Sequence, residues 1–207
     1  YDYGSDWEQW HKKDLEDQLL RDRNHPSIFI WSIGNEIYEQ WKDESVKMSK
    51  ELADIVKNLD KTRPITAAMN PPVNMNIDEV TLQFEKSKTY INPLAGSGNL
   101  DLIGYNYAHQ TFEHHKTNFP KTPFIATETT SALATRGYYD KDSEELKNWP
   151  VRWDLKFTGG NPGNTVSAYD HVKTPWGSTH EATWKIIKKH DFLSGMYIWT
   201  GFDYIGE

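Results

Sequence analysis

Two acidic residues stand where chemistry could be done. Glu36 closes the run Ile28-Phe29-Ile30-Trp31-Ser32-Ile33-Gly34-Asn35, and Glu128 closes Pro123-Phe124-Ile125-Ala126-Thr127, 92 residues further on (128 − 36). A glutamate after an arbitrary strand is most often the start of a solvated loop. Two such strand ends mean more, because barrel enzymes gather their working groups at the carboxyl ends of parallel strands. Glycoside hydrolysis requires a pair of carboxyl groups flanking the sugar, one protonated and one ionised. Its retaining form holds the pair about 5–5.5 Å apart, so that the second can attack the sugar directly. At that spacing and an effective dielectric of about 20, two like charges repel by roughly 3 kcal/mol. One member of such a pair can then stay protonated while the other is charged.

The elements that would carry these residues follow from periodicity. Pro26 discourages a helix, and the apolar run from Ile28 to Ile33 is too short for one, so it reads as a buried strand. A strand apolar on both faces suits a parallel sheet covered by helices. Ser5-Asp6 caps a predicted helix to about Arg23, with Trp7, Trp10, Leu15, Leu19 and Leu20 as its apolar positions. A loop over 38–43 and a helix over 44–59 follow, and Thr62-Arg63-Pro64 leads into a strand over 65–69. Residues 71–99 form a polar excursion with one short helix. Further strands are expected over 101–107, 123–128 and 195–199, with helices over 109–119 and from Ser178 or Thr179 to about His190. The long connection 131–178 has little periodicity, and a connection of that length is usually functional.

Strand and helix alternate, so the fold class is α/β, as a barrel or a doubly wound sheet. No Gly-x-Gly-x-x-Gly and no Walker-type loop follows a strand, which favours the barrel. Five strands are countable where a barrel of this kind has eight. The expectation is a partial (β/α)8 TIM barrel, about strands 4 to 8, with residues 1–207 forming part of one catalytic domain. The outer edges of the first and last strands are then expected to be unpaired.

Composition narrows the function classes. A net charge of −7 argues against a nucleic-acid partner, and no run is long and apolar enough to span a bilayer. Cysteine is absent, so there is no disulfide framework or thiolate metal site. The adjacent His114 and His115 point apart on a helix and make a poor metal pair. No metal and no cofactor are expected. Nine Trp and 11 Tyr lean towards carbohydrate, whose C–H faces stack on aromatic rings.

The segments Arg21-Asp22-Arg23-Asn24-His25-Pro26-Ser27 and Trp31-Ser32-Ile33-Gly34-Asn35-Glu36 resemble the acid/base region of family 2 glycoside hydrolases. Residues 123–139, with Pro-Phe-Ile-Ala-Thr-Glu at their start, resemble the nucleophile region of β-galactosidase-like members. The resemblance implies Glu36 as acid/base, Glu128 as nucleophile, and Asn35 as the amide that hydrogen-bonds the sugar 2-hydroxyl. It also implies Tyr107 as the tyrosine whose hydroxyl contacts the nucleophile, with Tyr105 the rival since strand alternation puts both on one face. Trp199 matches the tryptophan that floors the sugar site, and related barrels often carry a cis peptide after it.

The implied function is a retaining exo-β-glycosidase, first of all a β-galactosidase. The alternatives are a β-glucuronidase or other family 2 β-glycosidase, and, in another class, a non-catalytic carbohydrate-binding fragment. Thr129-Thr130-Ser131 stands where some β-galactosidases carry Tyr-Ala-His, so a histidine used there has no counterpart. The resemblance places strands 1 to 3 before Tyr1, in the rest of a longer chain, and suggests a periplasmic or secreted location. The expected partner is a carbohydrate substrate. Trp149, Trp153 and Trp176 are candidates for stacking on the aglycone.

Overall fold

The computed structural model describes residues 2–70, 92–107, 109–139, 146–152, 155, 163 and 165–202. Its long strands are β1 (Trp31–Asn35), β2 (Ile65–Met69), β3 (Ile103–Asn106), β4 (Phe124–Thr130) and β7 (Leu193–Trp199), hydrogen-bonded in the order β1-β2-β3-β4-β7. β5 (Lys147–Asn148) and β6 (Val172–Lys173) form a separate two-stranded parallel ladder. The helices are α1 (Trp7–Asp22), α2 (Glu44–Leu59), α3 (Pro93–Gly96), α4 (His115–Asn118) and α5 (His180–Lys189). This is an α/β sheet with helical crossovers, the pattern of part of a TIM barrel. The chain divides into two compact units, one of residues 1–105 with 114–125, the other of 106–113 with 126–207.

In the first unit β2 is buried at all five positions, as a strand paired on both sides should be. Its partners are parallel, Trp31 opposite Ile65 on one side and Ala68 opposite Gly104 on the other. α2 runs over the 16 residues its periodicity predicts and buries Ser45, Ser49, Leu52, Ala53, Ile55 and Val56 along one face. The serines add no bulk, and their hydroxyls donate to the Lys42 and Val46 carbonyls. α1 packs on α2, yet Leu19 is its one buried residue, and Trp10 and Leu20 stay exposed.

The expectation of a strand buried on both faces from Ile28 is corrected by the structure. β1 starts three residues later, at Trp31, and Phe29 is 57% exposed. The Ile28 carbonyl is taken by Arg63 Nε at 2.6 Å and its N–H by the His25 carbonyl, so residues 25–28 turn instead of pairing. The β1 side chains alternate irregularly because β1 ends the sheet, and its ladder with β2 shifts register between Ser32 and Asn35.

A polar knot closes the amino-terminal end of β1 and β2. Asp60, at the end of α2, accepts from Trp31 Nε1 (2.8 Å) and Arg63 Nη1 (2.6 Å) on one oxygen. Its other oxygen accepts the Thr62 N–H (2.8 Å) and hydroxyl (2.6 Å). Desolvation would raise this carboxyl's pKa. The donors from Thr62, Trp31 and Arg63 outweigh it and hold the group well below its ordinary 3.8.

In the second unit the predicted cap of the last helix holds: Thr179 Oγ1 accepts the Ala182 N–H. Asp170 adds two further caps, accepting the N–H groups of His180 and Glu181 at 2.8 Å each. Residues 38–41 and 109–114, read as a loop and as part of a helix, are 3₁₀ turns. Of the expected excursion over 71–99, residues 71–91 lie outside the described residues, and the part described holds the short helix α3.

Candidate active site

Four non-glycine residues among those described have a left-handed backbone: Glu36 (φ 49°), Tyr107 (55°), Thr130 (73°) and Ser131 (57°). Such conformations cost about 1–3 kcal/mol each and persist where the surroundings enforce them, often at functional sites. All four fall at the carboxyl ends of β1, β3 and β4. Two of these strands carry the glutamates: Glu36 directly follows β1, and Glu128 lies within β4, which runs on two residues past the expected strand end to Thr130.

In the first unit Asn35 ends β1 and Glu36 follows it, half-buried. The Glu36 N–H donates to the Ala68 carbonyl at 2.8 Å, which continues the ladder with β2 one step past the strand. Beyond it the Ile37 carbonyl accepts the Gln40 backbone N–H, closing a tight turn.

In the second unit the structure brings Tyr107 and Glu128 together. The Tyr107 hydroxyl donates to Glu128 Oε2 at 3.0 Å, and the Tyr107 N–H donates to the Glu128 carbonyl at 2.6 Å. Tyr107 is only 7% exposed, so this phenol is held in place and aimed at the carboxylate. Tyr105, the rival from strand alternation, instead stacks on Phe124 with ring centres 5.9 Å apart. The left-handed turn at Tyr107 breaks the alternation that made the two equivalent.

Around Glu128 the backbone is fixed residue by residue. Thr127 donates its hydroxyl to Asn106 Oδ1 at 2.7 Å, and Thr129 donates to the Tyr197 carbonyl at 2.8 Å. Past the strand, Ser131 N–H reaches the Trp199 carbonyl, while Ser178 and Thr174 donate their N–H groups to the carbonyls of Thr130 and Ser131. Gly177 fits between them with no room to spare: a Cβ there would lie 2.3 Å from the Thr130 carbonyl oxygen and 2.7 Å from Thr174 Oγ1. The long connection thus returns to clamp the turn after Glu128. Trp199 ends β7, 40% exposed, and the peptide joining it to Thr200 is cis, as the resemblance led one to expect.

Sequence reasoning missed Gly177, Thr174 and Ser178, which share no periodicity with β4. Lys173 joins the same connection, its Nζ donating to the Gly177 carbonyl at 3.1 Å. Burial lowers the His109 pKa to about 4, helped by the charge of Lys173, whose own pKa burial lowers. His109 is therefore neutral near pH 7. Of the candidates for aglycone stacking, Trp176 is 40% exposed and Trp149 is half-buried, while Trp153 lies outside the described residues. Among the described residues no group of three acids or histidines has a metal-binding arrangement, and no helix is long and apolar enough to cross a membrane.

A TIM-barrel α/β sheet that carries one glutamate in a left-handed turn just past β1 and another within β4, hydrogen-bonded by a buried tyrosine, defines a class of enzyme domain. Comparison gives the family: residues 2–151 match "Glycosyl hydrolases family 2, TIM barrel domain", and the chain belongs to that family. It is 42% identical to the β-galactosidase BoGH2A of Bacteroides ovatus, over the whole of this chain and 26% of that protein. It is 25% identical to a β-glucuronidase of Bacteroides fragilis, over 93% of this chain and 24% of that protein. Among solved structures, a family 2 member from Bacteroides cellulosilyticus is 27% identical with a TM-score of 0.59, covering 98% of this chain and 19% of that one. The chain thus spans about a quarter of the length of these curated relatives.

Proposed function

We propose that this chain supplies both catalytic carboxyl groups of a retaining exo-β-glycosidase that removes terminal β-galactosyl residues. Glu128 is the nucleophile: its carboxylate attacks the anomeric carbon as the glycosidic C–O bond breaks, forming a glycosyl-enzyme ester. Glu36 gives its proton to the departing oxygen, then takes one from water as that water attacks the ester. The sugar leaves with its β configuration, and both glutamates return to their starting states. Asn35 hydrogen-bonds the 2-hydroxyl, and Trp199 floors the sugar. Tyr107 orients the nucleophile and keeps one of its oxygens from turning away.

The observation that carries this reading is the 3.0 Å hydrogen bond from Tyr107 to Glu128 at the end of β4. The 42% identity to a β-galactosidase supports galactose as the sugar. Similarity to β-glucuronidases favours glucuronic acid as the second reading. The test compares hydrolysis of nitrophenyl β-galactoside and β-glucuronide by the full-length protein and its Glu128→Gln variant. Turnover of the galactoside, lost in the variant while the sugar still binds, supports the proposal. Preference for the glucuronide replaces the sugar assignment, and an unchanged rate in the variant rejects the nucleophile.

A further inference from the structure

Gln40 lies four residues after Glu36 in the same turn and is only 2% exposed. Its side-chain amide can make four hydrogen bonds, and it makes all four. Nε2 donates to the Ile37 carbonyl (2.9 Å) and to Asn70 Oδ1 (2.5 Å). Oε1 accepts the Asn70 N–H (3.2 Å) and Asn92 Nδ2 (3.2 Å). Asn92 is itself fully buried, and its Oδ1 accepts the N–H groups of Leu94 and Ala95 that open α3.

The placement gives this network its significance. Asn70 directly follows β2, and Ile37 directly follows Glu36. Glu36 is held from both sides, by its own N–H on Ala68 and by the next carbonyl on Gln40. Its left-handed φ of 49° is what a non-glycine residue adopts when its neighbours leave it no alternative. A glutamine is specifically needed here, since one end must donate twice and the other accept twice. Glutamate would set acceptors against the Ile37 carbonyl and Asn70 Oδ1, and an apolar residue would strand the Asn70 N–H and the Asn92 amide.

We propose that Gln40 is the positioning residue for Glu36, fixing the backbone from which that carboxyl delivers its proton to the leaving oxygen. The inference rests on Glu36 being the acid/base, as proposed above. Gln40 touches no substrate atom and acts only through the turn.

A role in proton delivery has a signature that general damage lacks. A leaving group that departs readily as an anion needs little help from an acid, whereas an alkoxide needs it fully. The experiment measures kcat/KM of the full-length protein for 2,4-dinitrophenyl and methyl β-galactosides, or the matching glucuronides if those are its substrates. Wild type, Gln40→Met and Glu36→Ala are compared. Expected for Gln40→Met is a loss of about tenfold or more on the methyl glycoside with the dinitrophenyl glycoside within about threefold. Glu36→Ala should show the same contrast more strongly. Equal losses on both substrates in Gln40→Met, with the contrast intact in Glu36→Ala, overturn the positioning role. No contrast in Glu36→Ala rejects the acid/base assignment instead. Should Gln40→Met not fold, Asn92→Asp keeps the α3 cap on Oδ1 but turns the donor to Gln40 Oε1 into an acceptor, and it decides by the same contrast.

Discussion

Replacing Asp60 by Asn tests whether the knot below β1 and β2 anchors the strand that leads to Glu36. The carboxylate receives four donors, two on each oxygen, from Trp31, Arg63 and Thr62. An asparagine has one acceptor oxygen, so either orientation points its NH2 at two of those donors. Arg63 also loses its counter-charge, with its side chain only 16% exposed and Asp60 only 4%. Breaking a buried pair from one side costs about 3–5 kcal/mol. With a urea m-value of about 2 kcal/mol/M, the unfolding midpoint should fall by roughly 1.5–2.5 M.

The pH dependence has a definite sign. The folded pKa lies below the ordinary 3.8, so Asp60 contributes its stabilisation above that pH and loses it as pH falls through the depressed folded value. The gap between wild type and Asp60→Asn should therefore be constant near neutrality and close under strong acid. Tryptophan fluorescence in urea at several pH values measures both effects. A midpoint unchanged near neutral pH, or a gap that does not narrow in acid, refutes the assignment of the knot as an anchor.

Three further outcomes follow from the second unit. Tyr107→Phe deletes a hydrogen bond to a charged group worth about 1.5–3 kcal/mol, so kcat/KM should drop about 10- to 150-fold; full activity would contradict the Tyr107–Glu128 contact as functional. Gly177→Ala forces a methyl against the Thr130 carbonyl, and an overpacking cost of about 1–3 kcal/mol should lower the thermal midpoint by roughly 2–12 °C. Asp170→Ala removes two N–H caps from α5, and a loss of about 0.5–2 kcal/mol should appear in urea titration, with none expected for the exposed Lys188→Ala control.

Much of the scaffold is legible locally. α2 and β2 were readable to the residue because their periodicities are long and Pro64 separates them. The β1 start was not, because Arg63, 35 residues away, takes the Ile28 carbonyl that would have begun the ladder. Tyr105 and Tyr107 were indistinguishable by alternation, and only the backbone turn at Tyr107 separates them. The clamp after Glu128 was invisible for a like reason. Thr174, Gly177 and Ser178 act through backbone groups and through the lack of a Cβ, neither of which leaves a periodic trace. Gln40 stood in plain view after Glu36, yet its partners Asn70 and Asn92 are 30 and 52 residues away.

The proposed attack of Glu128 on a β-galactoside leaves a covalent trace. That attack is tested most directly by incubating the full-length protein with an activated 2-deoxy-2-fluoro β-galactoside, then measuring intact mass and mapping the labelled peptide. A single fluorogalactosyl adduct on Glu128 is expected. An adduct on another residue, or none while the protein turns over galactosides, would contradict it.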